Sequence, residues 1–138
     1  MEKLMLLPVF AQVLLTSVVM IFMGRRRIKA AKSKEINVSA FRTMDLTGAN
    51  EQVIATSRNF DNQFQMPMLY LFSALFCLQF GLADLTFLVM SSVFVALRYW
   101  HTIIHIGSNN VRLRFRVFLL GCLVLGLIWI RLLVLALV

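Results

Sequence analysis

Long runs of apolar residues constrain this chain more than any other feature. Leu4–Gly24 and Gln63–Ala83 carry no charge at all, and Val117–Val138 carries only Arg131. About 20 mainly apolar residues are enough to cross the hydrocarbon core of a bilayer as a helix. Leu85–Leu97 is also free of charge but too short, so a helix there must continue through Arg98 toward Ile106. With 60% hydrophobic residues and a mean hydropathy of +0.83, a soluble fold would lack the polar surface to cover itself. The expected fold class is an all-α integral membrane protein, a four-helix transmembrane bundle. It forms one domain over residues 1–138, with spans at about 4–24, 61–81, 85–106 and 115–137.

Charge then orients the spans. Gly81–Asp84 reads as a tight turn, which makes the second and third spans antiparallel neighbours. The segments Arg25–Phe60 and Gly107–Arg116 both fall at the opposite end and hold most of the Lys and Arg. The positive-inside rule makes that end cytoplasmic and places both termini outside. If the source is a bacterium, the membrane is its inner, plasma membrane. The net charge of +8 invites a nucleic-acid partner. However, 12 of the 14 basic residues lie between Arg25 and Arg116, beside apolar runs, and no nucleic-acid-binding motif accompanies them. Membrane lipid is the expected partner and nucleic acid is not. Cys77 and Cys122 both sit inside apolar runs and read as inert buried thiols. The first run lacks a basic leader and a small-residue cleavage site, so it reads as a span and not as a cleaved signal. A helix is expected to start in water near Glu51 and to run into the second span, bent at Pro67. Arg131, in the last span, is expected to snorkel outward or to pair with Asp84 or Glu2.

Two polar stripes interrupt the apolar pattern. Arg58, Asn62 and Gln65 are spaced i, i+4, i+7, and Arg98, His101 and His105 are spaced i, i+3, i+7. Counted from the Gly81–Asp84 turn at 1.5 Å per residue, Gln65 and Arg98 to His101 each lie about 23 to 28 Å away, so the two stripes share one depth near the basic face. An arginine at that depth is costly against lipid, so it should face the bundle interior or a wet cavity. Guanidinium groups there suit a carboxylate or a phosphate, and Arg112 and Arg114 add charge just outside. The expected ligand is anionic or zwitterionic. Each arginine alone also suits an interfacial anchor, and Asn62 and Gln65 alone suit bonds between helices. Two histidines at i, i+4 suit a metal, but only Asp61 stands near them as a further ligand, and no metal is expected.

These residues resemble a known family. Arg58-Asn-Phe-Asp-Asn62-Gln-Phe-Gln65-Met-Pro67 is similar to the second-helix signature of the MAPEG proteins, the membrane-associated proteins of eicosanoid and glutathione metabolism. Arg98-Tyr-Trp-His101-Thr-Ile-Ile-His105-Ile-Gly107, followed by Asn109 and Arg114, is similar to the family's third helix and the loop after it. The resemblance implies a homotrimer of four-helix protomers, with glutathione bound between subunits near the cytoplasmic side. It implies that Arg58, Asn62, Gln65, Arg98, His101 and Arg114 hold glutathione as co-substrate. Arg98, Arg114 and His105 would carry the chemistry of a transferase or peroxidase acting on a lipophilic small molecule. The chain departs from the family pattern in three places. Gln65 replaces a glutamate that meets the ligand's ammonium. Asp61 stands where the prostaglandin-synthase branch has an arginine. His105 stands where that branch has a tyrosine, which is similar to a bacterial subgroup. A non-catalytic, lipid-binding or scaffolding trimer of the same fold is the alternative.

Overall fold

The computed structural model describes residues 1–137; the final residue of the last apolar run lies outside them. The described residues form five α-helices: α1 Glu2–Lys32, α2 Glu51–Gln63, α3 Met66–Gln79, α4 Leu85–Ile106 and α5 Val111–Leu137. Of these, α1, α4 and α5 are each long and apolar enough to cross a membrane. The chain is an integral, multi-pass membrane protein with an all-α bundle. α4 has 22 residues, about 33 Å at 1.5 Å per residue. α1 has 31 residues, about 46 Å at 1.5 Å per residue, so its basic end from Arg25 to Lys32 projects beyond a ~30 Å hydrocarbon core.

The helix expected to run unbroken from Glu51 through the second span is instead two helices. α2 stops at Gln63, and α3 begins at Met66 with Pro67 in its first turn. Pro67 has no N–H to donate to the carbonyl of Gln63, so the ladder cannot continue there; in a first turn that missing donor costs nothing. The Phe64 N–H turns back to the carbonyl of Asp61 and closes α2. α3 is only 14 residues long, about 21 Å. The turn after it places Gly81 at φ +66°, a left-handed conformation that glycine adopts without strain.

Inside lipid, apolar burial gives little drive between helices, so packing and interhelical polar bonds hold the bundle. The core joins α3, α4 and α5 through Tyr70, Cys77, Phe87, Phe94, Leu125 and Ile128, with Met5 from α1. α3 and α4 are not the close neighbours that a tight turn suggests. The rings of Tyr70 and Phe94, 4.9 Å apart, stand between them, and α4 packs chiefly on α5 and α1. At the turn end, Arg131 pairs with Asp84 at 2.5 Å, one of its two expected carboxylates. Asp84 also accepts from the Phe87 N–H at 2.9 Å and so caps α4, while the guanidinium lies 4.4 Å over the Phe87 ring.

A polar network crosses the opposite half of the bundle. Gln12 Nε2 donates to Gln63 Oε1 at 3.2 Å, and Gln63 Nε2 donates to Thr102 Oγ1 and Asn59 Oδ1 at 3.3 Å each. These bonds tie α1, α2 and α4 together, each contributing about 0.6–2 kcal/mol. The long connection between α1 and α2 has its own anchors. Its Val38–Arg42 segment is a 3-10 turn, Ile36 packs with Ala30 and Val53, and Glu35 accepts from both the backbone and the side chain of Asn50. Asn50 in turn caps α2 through the Val53 N–H.

Candidate functional site

α2 has two polar faces, and the fold uses them differently. Asn59 and Gln63 point into the bundle, whereas Arg58, Asp61 and Asn62 point the other way. There they meet Gln65 from the α2–α3 break, His101 and His105 of α4, and Arg114, Phe115 and Phe118 of α5 around an open cavity of about 390 Å³. That volume is typical of small-molecule sites. Five of the six residues in the two stripes singled out in the sequence therefore border one cleft, at the end of the molecule that carries the basic loops.

The walls differ in character. α2 and the α2–α3 break offer the Arg58 guanidinium, the Asp61 carboxylate and the amides of Asn62 and Gln65; α5 offers the apolar Val111, Phe115 and Phe118 together with the Arg114 guanidinium. Two guanidiniums against one carboxylate leave the cleft cationic, and the single acid gives it one place for a positive group. The floor is formed by His101 and His105, each 3% exposed, with ring centroids 5.6 Å apart. The Nδ1 atoms of both are buried without a hydrogen-bond partner. Such orphaned atoms are uncommon in folded proteins and mark places where a ligand or a proton can be accepted. Among the described residues, no cluster of three or more His, Cys, Asp or Glu stands ready for a metal.

Arg114 is held by a relay. Its Nη1 donates to Asn109 Oδ1 at 2.5 Å, and Asn109 Nδ2 donates to Glu51 Oε1 at 2.9 Å. Asn109 adopts φ +48°, a left-handed conformation that asparagine tolerates better than most residues, and this turns its amide between α2 and α5. Gly107, just before it, leaves no room for a side chain, since a Cβ there would lie 2.8 Å from the Ile103 carbonyl oxygen.

Arg98 does not line the cleft. It lies behind the floor, 3% exposed, in a narrow space with Phe94, Val117 and Cys122. Its Nη2 donates to the Asn62 carbonyl at 3.2 Å. That carbonyl belongs to the last turn of α2, where the helix break leaves acceptors without partners, and a cation at a helix C-terminus is favourable. Arg98 therefore closes the end of α2, and through α2 it fixes the wall that bears Asn62 and Gln65. Asn59 and Gln63, with Gln12, were not singled out from the sequence. Gln12 stands alone among apolar residues and was the available signal for a buried polar partner.

The model of the MAPEG family matches residues 5–134, nearly the whole chain. No curated protein and no solved structure matches it.

Proposed function

The chain belongs to the MAPEG family, and from that premise we propose that it is a glutathione-dependent membrane transferase or peroxidase acting on lipophilic electrophiles. The observation that carries this reading is the composition of the cleft. Glutathione presents two carboxylates, one ammonium and one thiol. Arg58 and Arg114 suit the carboxylates, Asp61 suits the ammonium, and Asn62 and Gln65 supply neutral donors and acceptors for the amides. When bound, glutathione supplies a nucleophilic thiol. A guanidinium nearby favours its charged, reactive form, and Arg114 is the one fixed by a relay. In this reading His105 Nδ1, buried and unpartnered, accepts the thiol proton. The apolar edge of Val111, Phe115 and Phe118 opens the cleft to an electrophile arriving from the bilayer.

The working unit in this reading is a homotrimer of protomers that cross the membrane four times, with α2 and α3 together making the second crossing. The many exposed apolar side chains, among them Phe10, Leu14, Phe72 and Leu75, suit burial against lipid and against neighbouring copies. The basic loops lie on the cytoplasmic side, where glutathione is drawn from water. A second reading, a trimer of the same fold that binds lipid without catalysis, is favoured by one observation: Gln65 offers an uncharged amide where the resemblance leads one to expect an acid.

Thermal-shift titration of the purified protein with glutathione and S-hexyl glutathione separates the two. A folded state that binds either ligand gains stability as its concentration rises. Stabilisation by both ligands, abolished in Arg114→Leu, is the expected result. Stabilisation by neither leaves the lipid-binding reading in possession of the cleft.

A further inference from the structure

One face of α1 changes character along its length in a way that the cleft does not use. Leu15, Val18, Val19 and Phe22 recur at helical spacing on that face, and the same stripe continues with Arg26, Lys29 and Ser33. The apolar half borders a groove of about 450 Å³, closed on its other side by Tyr99, Ile103 and Ile106 of α4. The polar half borders a smaller pocket of about 80 Å³ containing Lys29, Ser33, Glu35 and Asn50. Arg26 lines both. From this juxtaposition we propose that α1 and α4 form a binding site for an anionic phospholipid of the leaflet on the basic side, with an acyl chain in the groove and the phosphate at Arg26.

Length and charge both fit that occupant. From Leu15 to Arg26 the groove runs 11 residues, about 16 Å, which is the depth of one leaflet in a ~30 Å hydrocarbon core. Arg26 stands where α1 leaves the apolar run, so its guanidinium lies at headgroup level. It is held there by one terminal nitrogen, Nη1, which donates to the Gln52 carbonyl at 3.1 Å and to Thr56 Oγ1. Its remaining N–H groups make no hydrogen bond within the described residues and are available to a phosphate. In the polar pocket the Glu35 carboxylate is engaged by Asn50, leaving Arg26 and Lys29 to set the sign. Two cations against one carboxylate match a singly charged phosphodiester. The groove lies on the opposite side of α4 from His101 and His105, so this site is independent of the cleft and of the thiol chemistry proposed for it.

The test compares retention of phosphatidylglycerol and phosphatidylcholine with identical acyl chains, read by native mass spectrometry of the full-length protein from mild detergent. The wild type should retain the anionic lipid about fivefold better, the preference one surface cation confers. Arg26→Gln should abolish the preference. Thr56→Val, which removes the same anchoring bond but leaves the charge, should keep it and so controls for a folding defect. Ile103→Trp fills the groove from a position 67% exposed and should lower retention of both lipids. Arg114→Leu should change neither. Equal retention of the two lipids by the wild type, or unchanged retention of both in Ile103→Trp, overturns the site. So does thermal stabilisation by glycerol phosphate, which has no acyl chain, as large as that by the lipid.

Discussion

Asp61 is the one carboxylate in a cleft whose other polar groups are guanidiniums, amides and imidazoles. If a zwitterionic thiol peptide binds there, Asp61→Asn removes the partner of its ammonium and should weaken binding by about 1.5–3 kcal/mol, the cost of a hydrogen bond to a charged group. Gln65→Glu should do the reverse and tighten it. Calorimetric titration of both variants with glutathione checks the pair, and a Gln65→Glu protein that loses stability without gaining affinity would remove glutathione from consideration. Arg98 belongs to a different class of residue. From sequence alone its helical stripe leads one to expect ligand contact, because it shares a face with His101 and His105. Spacing gives direction around a helix but not what lies across from it, and what lies across from Arg98 is the freed carbonyl of Asn62. Arg98→Leu should therefore lower thermal stability, by about 1.5–3 kcal/mol for a charge-assisted bond. Arg98→Lys should restore most of that stability. A variant of unchanged stability with severely reduced ligand affinity would show direct contact instead.

At the scale of elements, the α2–α3 break decides what the cleft contains. The residues from Arg58 to Gln65 are legible as one stripe, yet an unbroken helix would carry Gln65 onward with the ladder, whereas the break leaves it at the N-cap of α3, on the cleft wall. Pro67 is visible in the sequence as a disturbance. Whether it bends a helix or ends one depends on what satisfies the freed acceptors, and Arg98, 31 positions away, is absent from any local pattern. Pro67→Ala supplies the missing N–H to the Gln63 carbonyl. It should let the helix run through, with slower amide exchange across residues 63–67 and weaker ligand binding at unchanged or higher stability; hydrogen exchange and titration read the two effects. The α3–α4 turn is a second joint. The Asp84 carboxyl is held below its ordinary range, first by the Phe87 N–H and then by Arg131. A depressed carboxylate pKa stabilises the fold above the ordinary carboxylate range, and that contribution is lost as pH falls through the folded value. Acid should thus lower the melting temperature of the wild type more than that of Asp84→Asn, which keeps a capping oxygen but cannot ionise. Equal acid sensitivity in the two proteins would leave the pair without a role in stability.

For the whole molecule, apolar run length made the class of fold readable, because few alternatives exist for runs of that kind. The association of the helices was less readable, since lipid-facing and helix-facing apolar residues look alike in sequence. Lys32 at the end of α1 and Ser108 between α4 and α5 lie at one end of the bundle. Cysteines placed at each should react with an impermeant label from the same side, the cytoplasmic one. Labelling from opposite sides would end the four-crossing arrangement. Native mass spectrometry that finds only monomers would remove the trimer.

The bond between Gln12 and Gln63 also sets a schedule. Gln12 sits in the first apolar run, and its partner is made 51 residues later. At a synthesis rate of about 5–20 residues per second, Gln63 follows Gln12 by about 3–10 s. Throughout that interval an amide that ends up fully buried has only the Thr16 hydroxyl of its own helix, at 3.5 Å, to bond. The first helix is therefore not at rest in hydrocarbon when it is made. Water or the insertion machinery must shelter Gln12 until the end of α2 arrives, and the order in which the helices settle follows from that one side chain.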